Sequence, residues 1–254
     1  PTKPPLLQHR PLHTVDEQSW STSQREPSAS VGVAVGVAVG VAVGDAVGLA
    51  VGDALGCTLE FKKPGTFEPI TTIEGGGVHQ LKPGQWTDDT ALALCLAQSL
   101  IDCNGFDAKD QMEKYCKWYD EGYMSSTGEC FDIGNTTIKA LDDFIIKGKP
   151  YSTNMDESSA GNGSIMRLAP IPMYYYQEPK EALKYASKSS QVTHANEMCV
   201  DACRDMAGIM VGLLNGESKE IVLSSMYSPI YLRPSAQTKV PLPCILLFLH
   251  SPSY

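Results

Sequence analysis

Apolar positions in the middle of the chain repeat at helical spacing. After Thr87, the residues Leu92, Cys95, Leu96 and Leu100 form one stripe, the three-to-four-residue period of an amphipathic helix. Thr87 stands at the predicted N-cap, with Asp88 and Asp89 in the first turn, where carboxylates meet the positive end of the helix dipole. A second helix is predicted from about Asp107 to Tyr123, with Met112, Tyr115, Cys116 and Tyr119 on one side. A third runs from about Asn135 to Ile146 on Ile138, Leu141, Phe144 and Ile145. Pro170 and Pro172 predict a break or kink after Arg167, and Pro179 marks a helix start. A long helix is expected from about His194 to Leu214, closed by Asn215-Gly216. Residues 58–86 read as loop, rich in Pro and Gly. No region shows several alternating strands, so the expected fold class is all-α.

The two ends follow other patterns. Residues 1–30 are polar and Pro-rich and read as disordered. A tetrapeptide repeat follows, with glycines at 32, 36, 40, 44, 48, 52 and 56. It fits a strand by alternating Val and a helix by placing every Gly on one face. Only its last copies carry acids, Asp45 and Asp53. After Glu220 no carboxylate occurs, and prolines stand at 229, 234, 241, 243 and 252. The expected division is a tail and repeat over 1–43, a domain over 44–227, and an unrelated or disordered tail over 228–254.

Composition narrows the partners. Twenty Lys and Arg against 29 Asp and Glu give the 254 residues a net charge of -9. With no long basic run, a nucleic-acid partner is not expected. The uncharged run from Val31 to Gly44 is short for a membrane span and carries Gly at every fourth residue. Insertion of residues 31–56 into a membrane is therefore a minor reading, tested by partition of a 1–56 peptide into vesicles. No secretory leader is read. The eight cysteines form no CxxC pair and mostly sit in apolar periodic segments, the pattern of reduced buried thiols and a cytoplasmic location. Cys199 and Cys203 are four apart, but nothing is placed to complete a tetrahedral zinc site.

The sharpest chemical signal is Gln85-Trp86-Thr87-Asp88-Asp89-Thr90. Helix capping alone accounts for these residue types. The functional alternative is a hard divalent cation, since hydroxyl and carboxylate oxygens suit Mg²⁺ or Mn²⁺. A second signal is Gly161-Asn162-Gly163-Ser164-Ile165-Met166-Arg167, read as an ordinary loop or as a Gly-rich turn offering N–H groups to an anion. Asp132-Ile133-Gly134-Asn135-Thr136-Thr137 is another turn leading into a helix, and Thr193-His194 opens the long helix.

These motifs, with Gly52-Asp53-Ala54-Leu55-Gly56 and Glu60-Phe61 before them, occur together in one order from about Val43 to Tyr227. In that order and spacing the chain resembles the ADP-ribosylglycohydrolase family, the dinitrogenase-reductase-activating glycohydrolase type. The resemblance implies an all-α helical fold and a site for two Mg²⁺ (or Mn²⁺) ions. It implies hydrolysis of the glycosidic bond between ADP-ribose and a protein side chain, or a related ADP-ribose conjugate. Carried over by motif, Thr87, Asp88 and Asp89 are metal ligands, and Glu60, Asp88 and Asp89 carry the catalysis. The resemblance further implies that Gly134, Asn135, Ser159, Gly161, Asn162, Gly163 and His194 line the substrate pocket.

One departure bears on activity. The family places a second metal motif, of D-x-D-[ST] type, near its C-terminus, and this sequence has none. The expectation is a C-terminally incomplete domain with an incomplete second metal site and impaired hydrolysis. The alternative is an inactive ADP-ribose-binding or structural protein on the same fold.

Overall fold

The computed structural model describes residues 47–63, 65–224 and 227. The expected tails over 1–43 and 228–254, and most of the tetrapeptide repeat, lie outside these residues. The described secondary structure is helical: α1 over 47–56, α2 Asp88–Asp102, α3 Ala108–Glu121, α4 Asn135–Lys147, α5 Pro170–Tyr174, α6 Pro179–Gln191, α7 Glu197–Leu214 and α8 Lys219–Val222. Two 3₁₀ turns, Cys57–Leu59 and Glu157–Ser159, join them. Among the described residues the sole β pairing is an isolated bridge between Gly76 and Leu81. The all-α expectation holds.

Helix α2 is the shared wall of two cores. One of its faces, Leu96 and Leu100, packs with Ile165, Leu168, Ile171 of α5, Ala182 and Ala186 of α6, and Cys203 and Ala207 of α7. Its other face, Ala91, Leu92 and Cys95, packs with Met112, Tyr115 and Trp118 of α3 and Leu141 and Phe144 of α4. The period-3.6 stripes thus find partners on both sides, which is what buries the central helix. The small residues of α6 and α7 let that pair pack closely. No disulfide joins the described cysteines, and Cys57, Cys95, Cys199 and Cys203 are buried.

Local signals set most helix ends. The Asp107 carboxylate accepts from the Lys109 and Asp110 amides at 2.8 and 2.9 Å, starting α3. Gly122, with φ of 69°, ends it in the left-handed conformation. After Arg167 the 163–167 turn gives way at Leu168 to the short α5, which Pro170 opens where its missing N–H costs nothing. One expectation needs correction: the long helix does not begin at His194. The His194 amide donates back to Ser190 at 2.7 Å, completing the turn after α6, and Asn196 caps α7 by accepting from the Met198 amide at 3.0 Å. In α1, a side chain at Gly48, Gly52 or Gly56 would meet open space among the described residues.

Candidate metal and ligand site at the head of the central helix

Helix α2 points its N-terminus at a group of acids drawn from four parts of the chain. The segment before it is pinned to the loop after α3. Gln85 Nε2 donates to the Ser126 carbonyl at 2.9 Å, Trp86 Nε1 donates to the Met124 carbonyl at 3.2 Å, and the Ser126 hydroxyl donates to the Trp86 carbonyl at 2.6 Å. Thr87 occupies the N-cap position, yet its hydroxyl makes no capping bond to the helix it precedes. The cap comes from Asp53 of α1. Its Oδ1 accepts the Thr87 hydroxyl at 2.9 Å, and its Oδ2 accepts the Thr87 amide at 3.0 Å and the Thr90 amide at 3.2 Å. The Thr90 hydroxyl adds a bond to the same oxygen at 2.7 Å. Capping is therefore the work of a residue 34 positions upstream, which leaves the carboxylates of Asp88 and Asp89 for other duties.

Asp88 and Asp89 are brought together with Glu60 and Asp132. Burial pushes Asp88 well above the usual carboxylate range, and the charges of Asp89, Asp132, Asp53 and Glu60 add to the push. Asp89 is raised to about 7 by burial and then by Asp53 and Asp132. Glu60 is raised to about 8, again by burial first and by Asp132 next. Asp132 is raised by burial against the opposing pull of His79. His79 Nε2 stands 3.2 Å from Asp132 Oδ1 and 3.7 Å from Glu60 Oε2. Glu60 Oε2 and His79 Nε2 are buried and make no aligned hydrogen bond.

Strain marks the same spot. Phe61, next to Glu60, and Asp132 adopt positive φ of 59°, a conformation that costs Phe more than Asp. The loop carrying His79 is held by Gly77, whose φ is +67° and where a Cβ would collide with the Cys57 carbonyl. His79 also stacks at a tilt on Phe131, 5.2 Å between ring centroids.

The donor set fits a divalent cation. Glu60, His79 and Asp132 each offer one ligand atom, all within 4.8 Å of one another. Among the described residues, the only ion-pair partner of these carboxylates is His79. Two buried orphan atoms and four mutually repelling acids call for positive charge, and oxygen donors suit a hard ion.

A second group lies against the first turn of α4. Gly134 is the N-cap of α4 and Asn135 its first residue, two and three positions beyond Asp132. A Cβ on Gly163 would stand 2.7 Å from His194 Cε1, 3.1 Å from its Nε2 and 3.4 Å from Thr137 Oγ1. A Cβ on Gly161 would lie 3.7 Å from the same Nε2. The Nε2 edge of His194 therefore runs along the Gly161–Gly163 turn. The turn does not open a regular helix. It folds on itself, with the Ile165 and Met166 amides donating to the Asn162 carbonyl at 3.0 and 3.2 Å. Ser159 is buried and spends its hydroxyl on the Asp156 carbonyl at 2.6 Å. His194 is buried, and burial followed by the charge of Arg167 lowers its pKa to about 3, so the ring is neutral.

No local sequence pattern gives Asp53, His79 and Asp132 a role. Asp53 was visible as an acid interrupting an apolar repeat, and Asp132 as the residue ahead of Gly134-Asn135. His79 sits in a Gly-rich loop with no pattern around it, and only the fold brings it to the acids.

The sequence profile of the ADP-ribosylglycohydrolase family matches residues 28–239. ADP-ribosylarginine hydrolase Tri1 of Pseudomonas putida is 39% identical over 233 residues, covering 92% of this chain and 57% of that protein. Tri1 of Serratia proteamaculans is 38% identical over 176 residues, covering 69% and 48%. The ADP-ribosyl-[dinitrogen reductase] glycohydrolase of Rhodospirillum rubrum is 32% identical over 166 residues, covering 63% and 53%. A solved chain of an ADP-ribosylglycohydrolase-related protein complex superposes with a TM-score of 0.63 at 41% identity, covering 72% of this chain and 59% of that one. The chain thus spans about half the length of the curated relatives it matches. No described helix is long and apolar enough to cross a membrane.

Proposed function

This chain belongs to the ADP-ribosylglycohydrolase family, and on that premise we propose that its site serves Mg²⁺-dependent hydrolysis of the bond between ADP-ribose and an acceptor side chain. Arginine is the first acceptor to test, because both Tri1 relatives carry that substrate in their names. The observation that carries this reading is the convergence of Glu60, Asp88, Asp89 and Asp132 at the head of α2, all raised by burial and mutual repulsion.

Thr87, Asp88 and Asp89 would hold one ion, with Glu60, Asp132 and His79 beside it. A divalent cation there supplies Lewis-acid polarisation and charge neutralisation. Glu60, whose Oε2 is buried and without a hydrogen-bond partner, would take the proton of an attacking water once a bound cation offsets the repulsion that raises its pKa to about 8. Gly134 and Asn135 at the N-terminus of α4, and the Gly161-Asn162-Gly163 turn with Ser159, offer backbone to the diphosphate and ribose. His194 closes that pocket as a neutral imidazole.

The alternative reading is a chain that binds ADP-ribose without turning it over. Release of ADP-ribose from an arginine-linked conjugate in Mg²⁺ decides between them. Turnover abolished by Asp88→Ala supports hydrolysis. Mg²⁺-dependent ADP-ribose binding without release supports the second reading.

A further inference from the structure

Arg167 is fully buried, and among the described residues it forms no ion pair with an acid. Its guanidinium lies over the Tyr115 ring, 4.8 Å from the centroid. Among the described residues its hydrogen bonds all go to neutral oxygens. Nη1 donates to the Gly163 carbonyl at 2.6 Å, and Nη2 donates to the Ser189 carbonyl at 3.2 Å and the Thr193 hydroxyl at 2.7 Å. The Thr193 hydroxyl in turn lies 2.8 Å from His194 Nδ1. One cation therefore grips both walls of the proposed pocket, the Gly163 turn and the Thr193-His194 pair.

The chemistry of the relay has a direction. A guanidinium can only donate, so Thr193 Oγ1 must accept from Arg167. Its own proton is then available to His194 Nδ1, its other partner among the described residues, and using that proton there makes Nδ1 the acceptor. In a neutral imidazole the remaining proton sits on Nε2. Nε2 is the atom that runs along Gly161 and Gly163. His194 is neutral on independent grounds, since burial and the nearby Arg167 charge hold it far below the usual histidine range. The carbonyl of His194 is also fixed, accepting the Ser190 hydroxyl at 3.0 Å.

We propose that Arg167 is a positioning residue that, through Thr193, sets His194 as the Nε2–H tautomer and presents that N–H to an anionic oxygen at the Gly161–Gly163 turn. The relay stands on this chain's own hydrogen bonds; the identity of the anion, a phosphate oxygen of ADP-ribose, rests on the function proposed above. Arg167 touches no reacting atom. Its effect is to make a buried ring a donor where the other tautomer would turn a lone pair toward a phosphate.

The test is the tautomer itself, read from proton–nitrogen correlation spectra of the full chain with isotope-labelled histidine, the His194 signals being identified by their loss in His194→Asn. The expected wild-type spectrum shows a proton on Nε2 and none on Nδ1. Thr193→Ser keeps that pattern, while Thr193→Val and Arg167→Gln give a mixed or inverted one. If Arg167→Gln does not fold, Thr193→Val, which preserves side-chain shape, still decides. A wild-type Nδ1–H signal overturns the proposal, as does an unchanged Nε2–H signal in Thr193→Val. Added ADP-ribose should shift the Nε2 proton, and Thr193→Val should weaken its binding by about tenfold or more, with Thr193→Ser restoring it. An Nε2–H signal that responds to Thr193→Val but not to ADP-ribose upholds the relay and overturns the assigned anion.

Discussion

Asp53 caps helix α2 from another helix: its Oδ2 accepts the hydroxyl of Thr90 at 2.7 Å while its other oxygen accepts the hydroxyl of Thr87 at 2.9 Å. This contact joins α1 to the head of α2 and places a fixed negative charge behind Asp88 and Asp89. It also releases Thr87 and the two aspartates from the capping role their positions suggest. The same residue thus helps order the site and helps raise its acids.

Substituting Asp53 should therefore have two separable effects. Asp53→Ala loses a cap and several charge-assisted bonds, and should cost about 1–3 kcal/mol of stability in urea denaturation. In Asp53→Asn the repulsion on Asp89 falls, so divalent-cation affinity should drop while the helix content by circular dichroism stays unchanged. Equal stability of Asp53→Ala and wild type would remove the cap from the account.

The acids predict how pH and cations trade places. Asp89 rises to about 7 and Glu60 to about 8 in the folded chain, above the values near 4 expected unfolded. The folded state then binds more protons, so these groups favour folding at low pH. Their contribution is lost as pH rises from about 4 through the folded values near 7 and 8. A divalent cation should restore stability where protons no longer do. At pH 8, Mg²⁺ at a hundredfold excess over its Kd should raise Tm by about 5–10 °C, and at pH 5 the shift should shrink toward zero. Scanning calorimetry at both pH values checks the sign.

Two neighbouring glycines should behave differently. A Cβ at Gly163 would stand 2.7 Å from His194 Cε1, whereas one at Gly161 would lie 3.7 Å from Nε2, an ordinary contact. Gly163→Ala should displace the imidazole and weaken ADP-ribose by about tenfold or more. Gly161→Ala should leave affinity within about threefold of wild type, both read by calorimetric titration with ADP-ribose.

His194 gives an acid-side prediction. Its pKa falls to about 3 when folded, below the unfolded value near 6.5. The unfolded chain takes up that proton first, so this stabilisation is complete above about pH 6.5 and is lost progressively as pH falls toward 3. His194→Gln should flatten the decline in Tm between pH 6.5 and pH 4 relative to wild type.

The helices were legible because their stripes are strong. Leu92, Cys95, Leu96 and Leu100 specify a helix buried on that face, and Asp107 and Gly122 mark the ends of α3 by local chemistry. The start of α7 was misplaced because Thr193-His194 looks like a helix opening, while the real cap, Asn196, lies two residues on. Thr87, Asp88 and Asp89 were legible as an acidic helix start, and Gly161–Gly163 as a turn. What the sequence could not give was company. Asp53 and Thr90 meet across 37 positions, and His79 reaches Asp132 only because Gly77 folds its loop over Cys57. Such meetings are properties of the packed helices, and no local pattern encodes them.

The central claim is that a cation held at the head of α2 positions ADP-ribose. Calorimetric titration of the full chain with ADP-ribose tests it most directly, in Mg²⁺, in EDTA, and with Asp88→Ala in Mg²⁺. The account predicts saturable one-to-one binding in Mg²⁺ that weakens about tenfold or more in EDTA and in the variant. Equal binding under all three conditions, or no binding of the folded wild-type chain in Mg²⁺, would contradict it.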